Sequence, residues 1–198
     1  SDVAPSTTAT DDGGADGTSA AEEGEGLDGT WTVAGDSTAG YRVGEVLFGQ
    51  DTEAVGRTEE VTGELTVAGT SITAATFTVD MATVESDDDR RDGQFRGRIM
   101  DVEQHPEATF VLGEPIDFDA LPPVGREVTV SATGDLTLRG VTRPVTFDLS
   151  ARRGEASIEV AGAIPVTFAD FDIPDASFGP AQVEDHGEIE FLLTFAPA

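Results

Sequence analysis

The chain has 198 residues, 38% of them hydrophobic and 25% charged, with a formal net charge of −28, enough material for one domain with a sizeable core. A field of that sign repels nucleic acid and anionic membrane surfaces, which excludes DNA and RNA as partners. Cysteine, lysine and asparagine are absent, so disulfides, thiolate metal sites and a cysteine nucleophile are excluded, and no apolar run approaches the roughly 20 residues of a membrane-spanning helix.

Residues 1–28 carry eight acids and no base. Such a stretch cannot bury enough apolar surface to offset the entropy of ordering it. It reads as a disordered acidic tail or spacer ahead of a folded domain over residues 29–198.

From Trp31 the chain alternates. A first strand or pair runs from Trp31 to Phe48. Next, "VTGELTVAG" sets Val61, Leu65 and Val67 on one face, and "ATFTVDM" does the same for Phe77, Val79 and Met81. Phe110 and Leu112 follow, then Val128, Val130, Ala132, Leu136 and Leu138 in "EVTVSATGDLTL". The last three strands carry Val145, Phe147, Leu149 and Ala151; Ile158, Val160, Ile164 and Val166; and Ile189, Phe191, Leu193 and Phe195. Period-two alternation over so many segments means antiparallel strands with one apolar and one wet face. Roughly eight one-sided strands must pack as a sandwich or close as a barrel, and Gly134 and Gly162 in mid-strand favour the bending that closure needs.

Two stretches break the pattern. "RRDGQFRGRIMDVEQHPEATF", residues 90–110, holds four of the eleven arginines and one of the two histidines. Asp92 suits the cap of a short helix, Phe95 and Ile99 then share a face, and Pro106 stops continuation. "TFADFDIPDASFGP" crowds Phe168, Phe171, Ile173 and Phe178 into a connector rich in proline and aspartate. Both have apolar residues that should fold back onto the barrel as plugs or lids.

Chemistry is sparse. Asp87, Asp89 and Asp92 lack the spacing of a calcium loop, and neither His105 nor His186 has the further nitrogen or sulfur ligands a zinc site wants. No nucleophile elbow, P-loop or dinucleotide-binding glycine motif is present. The residues therefore point to a non-enzymatic protein without metal or cofactor. A closed barrel of eight strands is either filled by its own side chains or holds one small apolar ligand, and alternation does not separate the two.

The motifs "WTVAGDSTAGYRV", "VTGELTVAGTSITAATFTVDMATV", "RRDGQFRGRIMDVEQHPEATF", "ATGDLTLRGVTRPVTFDLSA" and "IPVTFADFDI" occur in the order of the YceI-like family. The chain resembles that family over about residues 29–196. The resemblance implies an all-β fold, an extended eight-stranded antiparallel lipocalin-like barrel with one or two short connector helices. It implies bacterial, extracytoplasmic proteins, periplasmic or secreted, that bind polyisoprenoid or similar lipids in a long apolar pore. On that reading the 90–110 segment is the connector covering the barrel, held by Arg91 and Asp92. The acidic tail resembles the spacer behind a membrane anchor in actinobacterial members, which leaves room for a membrane tether, and a homodimer is open as well. The expected ligand is a polyprenol or isoprenoid quinone tail. Tyr41, Phe77, Val79, Met81, Phe110, Leu136, Phe147, Ile158, Ile164 and Phe191 are expected to line the pore, and Phe95, Ile99, Phe168 and Phe171 to close it. Gln94 stands where the family usually has histidine after Arg-Asp, and Ile99-Met100 where an aromatic pair often follows. The alternatives are a filled barrel that binds a protein partner, and an enzyme using a histidine with a carboxylate.

Overall fold

The computed structural model describes residues 26–198, so most of the expected acidic tail lies outside the described residues. Leu27 and Asp28, at its end, pack on the domain. Leu27 is buried and its carbonyl accepts from the Trp31 indole Nε1 at 2.8 Å, while the Asp28 carboxylate accepts from the Gly69 amide.

Twelve hydrogen-bonded segments make the sheet. They are β1 (Gly29–Val33), β2 (Thr38–Leu47), β3 (Gln50–Thr58), β4 (Val61–Ala68), β5 (Ser71–Asp80), β6 (Glu107–Leu112), β7 (Ile116–Asp117), β8 (Glu127–Leu138), β9 (Val141–Arg153), β10 (Ile158–Thr167), β11 (Ala181–Val183) and β12 (His186–Pro197). β1 pairs with β4 on one side and β12 on the other, and the neighbours run β4–β5–β6–β8–β9–β10–β12, all antiparallel. That closes the ring. β2 continues β1 along the same edge of β12, and it pairs with β3, which leads directly into β4. The two pairs are thus two long, bent staves, and the architecture is the closed eight-stranded barrel, not the sandwich that the alternation also allowed.

The bends have visible causes. At residues 34–37 the chain leaves the ladder, and Ser37 stitches the gap. Its hydroxyl donates to the Ala34 carbonyl at 2.8 Å and accepts from the Thr194 amide at 3.0 Å. Between β3 and β4, the Thr58 hydroxyl meets that of Thr83 at 2.6 Å and accepts from the Glu60 amide at 3.0 Å. A buried backbone break must find such partners, because an orphaned polar group there would cost about 1–3 kcal/mol.

The antiparallel order sorts the connections to two ends. The β2–β3 and β8–β9 hairpins and the long connectors of residues 81–106 and 168–185 all lie at one end, here the roof. The β4–β5 hairpin, the 113–126 loop and the β9–β10 turn lie at the other, the foot. Each roof connector is pinched at its neck by a backbone hydrogen bond, Met81 N–H to Pro106 C=O at 2.9 Å and Phe168 N–H to Asp185 C=O at 2.9 Å.

Candidate ligand-binding cavity

The first connector turns once as a short helix, α1 (Asp89–Gln94), and then widens into a π-type turn at Phe95–Ile99. Asp88 caps α1, not Asp92: its carboxylate accepts from the Arg90 and Arg91 amides, and those bonds hold it below the usual carboxylate range. Asp92 lies one turn further in, buried, where it accepts from the Ser86 amide at 2.9 Å and hydroxyl at 2.6 Å. The cap moves because "SDDD" offers three acids before the arginines, and the one directly before the first helical residue reaches forward to the free amides two and three positions on. Arg91 bridges outward to Asp87 at 2.5 Å and inward to Glu45 of β2 at 3.0 Å, and Glu45 is 4% exposed. Arg91 and Asp92 therefore anchor the connector, as the sequence implies.

Arg96 and Arg98 are spent on main-chain carbonyls. Arg96 donates to those of Ala82 and Val84, and Arg98 to those of Asp175 and Ser177 in the second connector. Arg139 and Arg143 of the β8–β9 hairpin region donate to Asp172 and Asp170 carbonyls. Arg96 thus braces the first connector on itself, Arg98 ties it to the second, and Arg139 and Arg143 tie the second to the barrel, forming one roof.

Beneath this roof is a cavity of about 120 Å³. Its walls are apolar: Val79 from β5 with Met81 just beyond it, Ala108 from β6, Leu138 from β8, Val166 from β10 and Ile189 from β12. The first connector contributes Val84, Phe95, Ile99 and Met100, the second Phe168, Ile173, Ala176 and Phe178. A few polar groups join at one side, namely Tyr41, Arg42 and Glu45 of β2, Glu188 of β12, and Arg91. An apolar hollow with a small polar set on its rim is the usual form of a small-molecule site.

Tyr41 shows how the wall is built. Its ring stacks on Phe95 with centroids 5.0 Å apart. It lies over Gly56, its partner across the β2–β3 ladder, where a Cβ would come within 2.8 Å of the phenol carbon. Burial pushes the phenol up to about 12, with the Asp92 and Glu45 carboxylates adding to this and the Arg91 guanidinium opposing it. The rim arginines are already paired. Arg42 binds Glu53 at 2.7 Å and Glu190 at 2.8 Å, and its bond to Glu190, with Arg57 beside it, holds that carboxylate below the usual range.

Of the residues expected at the pore, Tyr41, Val79, Met81, Phe95, Ile99 and Phe168 line this cavity. Phe77, Phe110, Phe147 and Phe191 point inward, none more than 7% exposed, but they pack on one another below it. Leu136, Ile164 and Phe171 are buried in the surrounding core, and Ile158 lines a separate cavity of about 40 Å³ at the foot. Sequence reasoning missed Ala39, Glu45, Ala54 and Ala108. Small residues carry no alternation signal, and Glu45 meets Arg91 only through a contact 46 residues apart. Among the described residues no group of three or more His, Asp or Glu side chains could hold a metal ion, and no helix is long and apolar enough to cross a membrane.

The model of the YceI-like domain matches residues 31–195. The UPF0312 protein VPA0850 of Vibrio parahaemolyticus is 34% identical over 103 residues, 48% of this chain and 51% of that protein. The chain thus matches about half the length of that relative, and 22% of the UPF0312 protein PputW619_0484 of Pseudomonas putida, to which it is 49% identical over 49 residues, a quarter of its own length. Among solved structures, a polyisoprenoid-binding domain from Saccharophagus degradans, implicated in plant cell wall breakdown, superposes with a TM-score of 0.68 at 18% identity, covering 85% of this chain and 98% of that one. BcnA of Burkholderia cenocepacia superposes at 0.61 with 21% identity, covering 83% and 95%. At those identities the two structures establish the shared fold. The chain belongs to the YceI-like family.

Proposed function

From that membership we propose that this protein binds an isoprenoid lipid with an uncharged polar head, such as a polyprenol or isoprenoid quinone, and sequesters or carries it without chemical change. The observation that carries the reading is the roofed apolar cavity inside a closed barrel. Burial of each methylene from water contributes about 0.8 kcal/mol, so a branched hydrocarbon tail is held by shape and burial with few polar contacts. The Saccharophagus degradans domain, described as polyisoprenoid-binding, supports the ligand class.

The rim selects the head. Arg91 is engaged by Glu45 and Asp87 and Arg42 by Glu53 and Glu190, and Glu188 also lines the site. A diphosphate head would find no free cation there and a like-charged neighbourhood, whereas a hydroxyl or carbonyl can use the Tyr41 phenol, which stays protonated up to about 12. The same reading puts the protein in an extracytoplasmic setting in the cell envelope, as the sequence resemblance implies.

Solvent extraction of natively purified protein followed by mass spectrometry is the test. A stoichiometric isoprenoid alcohol or quinone is the expected result. An empty extract together with failure of the purified protein to take up any isoprenol would overturn the proposal in favour of a barrel that meets a protein partner.

A further inference from the structure

Four phenylalanines meet at the waist of the barrel, one each from β5, β6, β9 and β12. Phe77 lies 5.5 Å from Phe110 and 5.3 Å from Phe191, and Phe147 lies 5.3 Å from Phe110 and 5.9 Å from Phe191, centroid to centroid. The contacts form a closed circuit: each ring touches two others, and the strands that carry them stand on all sides of the barrel. Every ring also has a small residue facing it from a neighbouring strand. A Cβ on Gly134 would come within 2.6 Å of the Phe110 ring and one on Gly162 within 2.8 Å of the Phe191 ring, while Phe77 and Phe147 are paired across their ladders with Gly63 and Ala132. Glycine opposite an aromatic lets the ring lie down over the backbone, into the lumen's cross-section.

The layer lies directly below the cavity. Because side chains on one face recur every second residue, the next inward positions toward the roof from Phe77, Phe110 and Phe191 are Val79, Ala108 and Ile189, and these line the cavity, whereas the rings do not. On the far side, Leu193 is fully buried, and the cavity of about 40 Å³ beyond has its own lining of Leu27, Ile72, Phe118, Leu121 and Ile158 among others.

We infer that the Phe77–Phe110–Phe147–Phe191 layer is the floor of the binding site and sets the greatest tail length it accepts, which narrows the class proposed above to neutral-headed isoprenoids whose tail ends at the waist and does not run the length of the barrel. This rests on the isoprenoid reading above. Affinity should climb by up to about fourfold for each methylene that reaches the cavity and stop climbing once the tail meets the floor.

The experiment is displacement of a neutral fluorescent naphthylamine probe from the whole chain by farnesol, geranylgeraniol and solanesol, with the emission of Trp31, the one tryptophan and a foot-end residue, followed in parallel. The floor predicts that affinity levels off before solanesol and that Trp31 emission stays constant throughout. The paired variant Phe77→Leu/Phe191→Leu should move the plateau to the longer alcohols. Unbroken gain through solanesol in the wild-type protein, or a shift of Trp31 emission on binding it, overturns the floor and leaves the isoprenoid reading standing. Displacement by none of the three overturns both.

Discussion

The two ends of the barrel are built from the same strands and do different things. At the foot, the buried Trp31, Val67, Ile158 and Phe195 pack together and little space is left, about 40 Å³. At the roof the two connectors are tied to each other and to the β8–β9 hairpin by arginines bonded to carbonyls, and about 120 Å³ stays open. The difference teaches how a fold keeps a hollow. An apolar core collapses unless something else fixes the distance between its walls, and here that scaffold is polar: the Arg91–Glu45 pair, the Asp92–Ser86 bonds and the lacing of Arg96, Arg98, Arg139 and Arg143.

The layer between the two ends gives the largest expected effect. Truncating Phe191→Ala should cost about 3–5 kcal/mol in denaturant unfolding, by lost burial and the hole left behind, and should change which alcohols bind. Leu193→Ala, one step toward the foot, should cost a comparable ~2–5 kcal/mol and leave binding as it was. Equal effects on binding would break the division into two ends.

Charge separates the ends next. Arg91→Ala strands the buried Glu45 carboxylate, and removing one partner of a buried pair costs about 3–5 kcal/mol; because Arg91 is itself partly exposed, the lower figure is expected. Arg152→Ala breaks the Arg152–Glu159 pair on the exposed face toward the foot, where such pairs contribute about 0.2–1 kcal/mol. Chemical denaturation of both variants compares them directly. Similar losses would mean the roof is not held by its ion pair.

Tyr41 reports on the roof by itself, being the chain's one tyrosine. Phenolate absorbance should rise near pH 12 in the folded protein and near 10 in denaturant. The folded value is the higher, so the native state binds the extra proton between these values. The stability this group contributes is therefore complete below about pH 10 and is lost as pH rises toward 12. Titration of the native protein near 10 would mean the ring is not buried against Phe95.

The smallest effect should be a gain. Phe48 sits at the tip of the β2–β3 hairpin, 81% exposed, with φ +52° ahead of Gly49 at +78°. The β8–β9 hairpin repeats the geometry with Arg139 at +48° and Gly140 at +75°, but Arg139 recovers a bond to the Asp172 carbonyl. Left-handed backbone costs an ordinary residue about 1–2 kcal/mol, less for asparagine, so Phe48→Asn should raise the melting temperature, by an increment worth about 1 kcal/mol or less. A fall would show that the exposed ring has a stabilising contact.

Much of the fold was legible. The alternation placed Phe77, Phe110, Leu136, Phe147, Ile164 and Phe191 inward, because a one-residue slip would put each on the wet face. The connectors were legible too, as the places where alternation failed while apolar residues continued. The helix cap was read one turn late, since neighbouring acids compete for one set of amides. The β2 and β3 segments were the least readable: Ala39, Gly40 and Gly56 carry no hydrophobic signal, yet Ala39 and Gly40 line the cavity and Tyr41 lies on Gly56.

By itself the sequence determined the family, the antiparallel strands and the apolar face of those that alternate, because period two is a property of a strand taken alone. Only the tertiary structure decided which inward residues border a hollow and which fill the waist. That depends on the closure of all eight staves, on small residues opposite large rings, and on the reach of Arg91 to Glu45 across the roof, and none of these is local in the chain.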